Sequence, residues 1–164
     1  METRHHQRTP NHKLVLIAED HAILRGGLRA LLANEADLEV VGEAQNGREA
    51  IQFVDLLDPD LVLMDLAMPH TNGMEAIRTV KQRNPHLKII ALTVHKTEEY
   101  VLAALHAGAD GYVLKDDTHE ELLSAIRHVL NGSKYLSPGI SGQVVSGYLK
   151  SARDEGAELT KPKH

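Results

Sequence analysis

The sequence predicts an α/β protein built on a parallel sheet with helices on both faces. Short apolar runs of strand length alternate with stretches of helical periodicity along most of the chain. The runs are apolar throughout rather than alternating, as in strands buried on both sides. Polar residues stand just beyond the ends of several runs, which is where ligands bind on such sheets.

Leu14-Val15-Leu16-Ile17-Ala18 is the first strand, ending at Glu19-Asp20. Ile23, Leu24, Leu28, Leu31 and Leu32 then recur at helical spacing, and Gly26-Gly27 within that helix suggests close backbone packing. Leu38–Val41 is a second strand closed by Gly42. Asn46, with Glu49 three residues on, caps a helix whose inward stripe is Ala50, Phe53, Val54 and Leu57. Asp58-Pro59 stops it, and Leu61–Met64 is the third strand, carrying Asp65 out of its carboxyl end.

Thr71-Asn72-Gly73 turns the chain into a helix with Met74, Ile77 and Val80 inward. Leu87–Leu92 is the fourth strand and delivers Thr93. A helix from about Thr97 carries Val101, Leu102 and Leu105 and stops at Gly108. Gly111–Leu114 is the fifth strand, followed by Lys115. Thr118-His119-Glu120-Glu121 is a capping box opening the last helix, with Leu122, Ile126 and Val129 or Leu130 buried. Five strands thus alternate with five helices.

At 164 residues and 42% apolar, the chain suits one compact domain with a modest extension. Without cysteine it can form neither a disulfide framework nor a thiolate metal site. A net charge of −5 argues against a surface devoted to nucleic acid. No apolar run approaches the roughly 18–20 residues of a membrane helix, and Met1–His12 lacks the apolar stretch of a secretory signal. A soluble cytoplasmic protein is expected.

The chemistry gathers at strand ends. Glu19, Asp20 and Asp65 would converge as three carboxylates, which repel one another unless a cation sits among them. An oxygen-only acidic cluster suits Mg²⁺ (or Mn²⁺). Thr93 adds a hydroxyl and Lys115 an ammonium, a set that suits a phosphoryl group, which a carboxylate can itself accept. Singly, each residue reads as a helix cap, a turn residue or a solvated lysine. Jointly, at four strand ends of one α/β pattern, they read as a site.

These residues resemble the receiver domain of two-component response regulators over about Lys13–Asn131. The matching positions are Glu19-Asp20, Asp65 with Met68-Pro69 and Gly73 after it, Thr93, and Lys115 preceded by Gly111-Tyr112. Gly108-Ala109-Asp110-Gly111-Tyr112-Val113-Leu114-Lys115-Asp116 and Gly132-Ser133-Lys134-Tyr135-Leu136-Ser137-Pro138 are similar to the NarL/FixJ (LuxR-type) subfamily. The resemblance implies a flavodoxin-like five-stranded sheet of order 2-1-3-4-5. It implies that Asp65 takes a phosphoryl group from a sensor histidine kinase, with homodimerisation to follow. Asp20, Asp65 and the Ala67 carbonyl would bind Mg²⁺, with Glu19 helping through water. Thr93 and Lys115 would contact phosphoryl oxygens, and Tyr112 would change rotamer with Thr93. Asp116 departs from the pattern, since proline commonly follows the lysine, and a trans bond is expected there.

The organisation expected is a disordered tail over 1–12, a receiver over 13–132, and a linker region over 133–164. In that region Leu136, Ile140, Val144, Val145, Tyr148 and Leu149 suggest an amphipathic linker helix that needs docking to be stable. Ala157-Glu158-Leu159-Thr160 resembles the start of the subfamily's DNA-binding domain, and the chain is read as a truncated regulator that would reach DNA only through that domain. A stand-alone receiver acting by phosphotransfer or protein contact is the alternative. His5, His6 and His12 read as tail residues and His106 as a surface residue, while His95 falls near the site mouth, where it would tune dephosphorylation. An aspartyl-phosphate hydrolase is disfavoured because Ala67 stands where a second Asp would be needed, so no turnover of a separate substrate is expected. A nucleotide-binding domain is disfavoured because no glycine-rich phosphate loop follows the first strand.

Overall fold

The computed structural model describes residues 12–70, 72–140, 142, 146 and 150. Strands β1 (Lys13–Ala18), β2 (Leu38–Ala44), β3 (Leu61–Asp65), β4 (Lys88–Thr93) and β5 (Gly111–Leu114) alternate with helices α1 (Ala22–Ala33), α2 (Gly47–Leu57), α3 (Gly73–Arg83), α4 (Glu98–Ala107) and α5 (His119–Leu130). A sixth strand, β6 (Tyr135–Leu136), follows α5. All pairings are parallel and the order is β2-β1-β3-β4-β5-β6.

Alternation along each strand divides the core into two layers. Leu16, Ala18, Val62, Met64, Ala91, Tyr112 and Leu114 pack with residues of α2, α3 and α4. Val15, Ile17, Leu61, Leu63, Ile90, Leu92 and Val113 pack with residues of α1 and α5. Continuing that period past the strand ends assigns Glu19, Asp65 and Lys115 to the α1/α5 side and Thr93 to the α4 side. The charged residues thus share one face of the sheet edge, and Thr93 shares the other with Tyr112.

The expected caps form. Asn46 accepts from the Glu49 N–H, Asn72 from the N–H groups of Met74 and Glu75, and Thr118 with Glu121 closes a capping box. All peptide bonds of the described residues are trans, Lys115–Asp116 included.

Four local readings are corrected. Ile23, placed on the buried face of α1, is 93% exposed, because only Leu28 and Leu32 of that helix reach the sheet fully. Gly26 and Gly27 face open space rather than a packed backbone. Gly42 lies inside β2 rather than ending it, at a register shift against β1, and a Cβ there would come within 2.7 Å of Leu57 Cδ1. Tyr135-Leu136, read as the start of a linker helix, instead pairs with Gly111 and Tyr112 as an edge strand. The strand forms because β5 offers a free edge and Ser137 and Ile140 can be buried beside it. Gly142, Ser146 and Lys150 are helical. The rest of the proposed linker helix, the stretch 157–160 and the tail histidines His5 and His6 lie outside the described residues.

Candidate functional site

Sheet register builds the site. Ala18 pairs with Met64, which sets Glu19 level with Asp65. Asp65 pairs with Leu92, so Thr93 stands one residue further out, and Thr93 pairs with Leu114, which puts Lys115 one further still. The staircase works only because each functional residue ends or follows a strand held fast by apolar neighbours on both faces.

Asp65 is fully buried. Its Oδ1 accepts from the Ala67 N–H at 2.9 Å and pairs with Lys115 Nζ at 3.0 Å. The same ammonium lies 3.4 Å from Glu19 Oε1. Glu19, also fully buried, accepts at Oε2 from the His21 N–H at 3.0 Å. Asp20 is free to join the cluster because α1 is capped at His21 and not by Asp20.

The electrostatics of the cluster are unbalanced. Burial, and after it the neighbouring Asp65 carboxylate, pushes Glu19 above the usual carboxyl range against the pull of the His21 amide. Burial alone would raise Asp20, but the polar surroundings given by the Asp65 side chain and its own backbone hold it below the usual range. Burial alone would lower Lys115, and the Asp65 and Glu19 carboxylates outweigh it and raise it. One ammonium thus pairs with two of the three acids, Asp65 and Glu19. Glu19 Oε1, Asp20 Oδ1 and Asp65 Oδ2 remain buried with no hydrogen-bond partner. Orphaned anionic oxygens are costly unless a cation meets them, so the donor set fits a divalent ion.

Thr93 and Tyr112, both buried, are joined through one residue. Thr93 Oγ1 accepts from the His95 N–H at 3.1 Å, and Tyr112 OH donates to the His95 carbonyl at 2.7 Å. Burial pushes the Tyr112 hydroxyl up to about 12, with the Thr93 hydroxyl pulling weakly the other way. The His95 ring stacks on Tyr100, centroids 4.1 Å apart. His95 therefore belongs to the Thr93–Tyr112 connection through its backbone. His106 is exposed at the end of α4.

Sequence reasoning missed two contributors. His21 brings an imidazole to the carboxylates, its Nδ1 3.0 Å from Glu19 Oε2. Its only signal was adjacency to Glu19-Asp20. Ser137 ties the segment after α5 to β5, and nothing local marks a serine as buried.

Residues 15–127 match the family model of the response regulator receiver domain. The nitrate/nitrite response regulator protein NarL of Escherichia coli (strain K12) is 39% identical over 139 residues, 85% of this chain and 64% of NarL. This chain therefore spans less than two-thirds of that relative's length. A LuxR-family two-component response regulator from Aurantimonas sp. SI85-9A1 superposes with a TM-score of 0.76 at 32% identity, covering 86% of this chain and 98% of that one. The isolated REC domain of RcsB from Salmonella enterica serovar Typhimurium, solved in the presence of the phosphomimetic BeF3-, gives 0.74 at 30% identity, covering 79% and 96%. Fold, strand-end residues and these likenesses agree, and the chain belongs to the response regulator receiver domain family, among NarL/LuxR-type regulators of two-component signalling.

Proposed function

We propose that Asp65 is the phosphoacceptor of this receiver and that the phosphoryl donor is a phosphohistidine on a sensor histidine kinase. The observation that carries this is the state of Asp65, a fully buried carboxylate with one oxygen clamped by an amide and an ammonium. Its other oxygen has no partner. The clamp fixes the carboxylate plane, and the free oxygen keeps its lone pairs for attack on phosphorus. The new bond is Asp65 O–P, the P–N bond breaks, and the electron pair leaves with the donor imidazole, which takes up a proton. Lys115, already between Asp65 and Glu19, offsets charge on the phosphoryl oxygens.

Asp20, Asp65 and the Ala67 carbonyl would hold Mg²⁺ (or Mn²⁺), with Glu19 acting through water. Such an ion would supply further charge neutralisation at the phosphoryl oxygens. Thr93, whose Oγ1 accepts from His95, keeps its own proton to donate to a phosphoryl oxygen. Drawing Thr93 inward would be read at once by Tyr112, because both lean on His95. Phosphorylation then shifts an equilibrium between two arrangements of the β4–α4 segment. Output is by contact rather than turnover of a separate substrate: homodimerisation, and control of a DNA-binding effector domain. A cytoplasmic setting follows from that partnership, and among the described residues no helix is long and apolar enough to cross a membrane.

The test is incubation with Mg²⁺ and acetyl phosphate followed by intact-mass measurement. Wild type gains one phosphoryl group and Asp65→Asn gains none. Labelling that survives Asp65→Asn would assign the acceptor elsewhere.

A further inference from the structure

Lys115 reaches Asp65 and Glu19 on a long flexible stem, so where its ammonium sits depends on how its backbone is held. The residue stands in a tight turn at the end of β5. Its N–H donates to the Thr93 carbonyl at 2.8 Å, and the Asp117 N–H donates back to the Leu114 carbonyl at 3.0 Å. These bonds hold the turn to β4 and close it on itself. The Leu114 N–H, which precedes Lys115, points the other way, toward β6.

On that side the strand stops short. Leu136 pairs with Tyr112 and is the last residue of β6. The Ser137 N–H still donates to the Tyr112 carbonyl at 3.0 Å, but the Ser137 carbonyl accepts from the Ile140 N–H at 2.9 Å as the chain turns off. The Ser137 hydroxyl stands in for the missing strand. It accepts from the Leu114 N–H at 2.9 Å and donates to the Asp117 carboxylate, whose Oδ2 lies 3.1 Å from the same N–H. Only a group that both donates and accepts closes such a ring. Ser137 is buried, and Ile140 packs in the layer that holds Tyr112 and Leu114, which keeps the hydroxyl from water.

We infer that Asp117 and Ser137 are positioning residues for Lys115, so that the segment after α5 takes part in phosphoryl acceptance. This rests on the reading of Asp65 as phosphoacceptor and of Lys115 as the group that meets the phosphoryl oxygens. Asp117 and Ser137 act through the turn, locking the backbone on either side of the lysine. An ammonium already aimed at the acceptor stabilises developing charge without a search for its place. The carboxylates that would hold the cation stand at the ends of β1 and β3, away from this turn. The two residues therefore serve the phosphoryl step and not cation binding.

The experiment incubates the full chain with Mg²⁺ and acetyl phosphate and follows the rate of label gain by intact mass. Mg²⁺ affinity is measured alongside, from the rise in Tm with added ion. Ser137→Ala is expected to label about tenfold more slowly than wild type, with no loss of Mg²⁺ affinity. Asp117→Ala should slow labelling by a similar factor, and the double variant should be no slower than the slower single one, because the two groups form one ring. Asp117→Asn, whose amide oxygen can still accept both bonds, should recover most of the rate. A wild-type rate in Ser137→Ala or in Asp117→Ala overturns the proposal and leaves Asp65 as acceptor. Mg²⁺ affinity that falls in step with the rate also overturns it, since the whole rim has then moved. An Asp65→Asn chain that labels like wild type removes instead the reading on which the proposal rests.

Discussion

The hydroxyl of Ser137 accepts a hydrogen bond from the Leu114 N–H at 2.9 Å and donates one to the Asp117 carboxylate. Leu114 immediately precedes Lys115, and the Ser137 N–H donates to the Tyr112 carbonyl at 3.0 Å. The segment after α5 is thus hydrogen-bonded to the strand that carries both the site ammonium and the buried tyrosine. Ser137→Ala removes one of two acceptors of the Leu114 N–H, the other being Asp117 Oδ2 at 3.1 Å. Stability should drop by about 1 kcal/mol, read by chemical denaturation. Amide exchange at Leu114 and Tyr135 should speed up, while exchange in β2 stays unchanged. Uniform acceleration across the sheet would mean the contact is not a local coupling.

Alkaline stability should report on Tyr112. Its hydroxyl is shifted from 10.0 to about 12 by burial. An acid whose folded pKa is raised binds its proton more tightly when folded. Its contribution is complete below pH 10 and is lost as pH rises from 10 toward 12, amounting to about 2–3 kcal/mol. Denaturation at successive pH values should therefore give a steeper alkaline decline for wild type than for Tyr112→Phe. At neutral pH the variant should be about 1 kcal/mol less stable, having lost the bond to the His95 carbonyl. Parallel alkaline curves would contradict the burial of that hydroxyl.

Two glycines should respond oppositely to alanine. A Cβ at Gly73 would meet Leu66 Cα and the Leu66 carbonyl oxygen at 2.9 Å, both backbone atoms next to Asp65. Gly73→Ala should cost about 1–3 kcal/mol and slow acetyl phosphate labelling, because the turn after β3 must move. Gly26 lies in α1 with no atom within 4 Å of such a Cβ. Gly26→Ala should stabilise the protein by about 0.5–1 kcal/mol and leave labelling unchanged. Thermal melts and labelling rates of the pair decide both points.

Divalent cations should stabilise the fold through the three orphaned carboxyl oxygens. A ligand that binds only the folded state adds about 2.7 kcal/mol at a concentration one hundred times its Kd. Tm should rise with added Mg²⁺, return with EDTA, and respond weakly in Asp20→Asn. An unchanged wild-type Tm across the titration would count against a cation at these residues.

The strands were legible because a run such as Leu14–Ala18 is apolar on both faces, and caps such as Asn46 and Thr118 mark helix starts within a few residues. The candidate site was legible because its members follow strand ends, positions that local patterning locates. The misreadings share a cause. Ile23 carries the right spacing, but spacing cannot say how wide a face the sheet will cover, and α1 buries only Leu28 and Leu32. Gly42 and β6 depend on neighbours distant in sequence, Leu57 in one case and the free edge of β5 in the other.

By itself, the sequence determined the alternation of elements, the apolar sheet and the identity of the acids, hydroxyl, ammonium and aromatic at its rim. These follow from local periodicity and side-chain chemistry. The tertiary structure decided the register, and with it that Glu19, Asp65 and Lys115 face α1 and α5 while Thr93 and Tyr112 face α4. It also decided that one ammonium would bridge the Glu19 and Asp65 carboxyls, that His21 would turn toward the acidic cluster, and that Ser137 would be buried against β5. Those outcomes depend on which residues meet across strands, and a one-residue slip in pairing would have reversed every face.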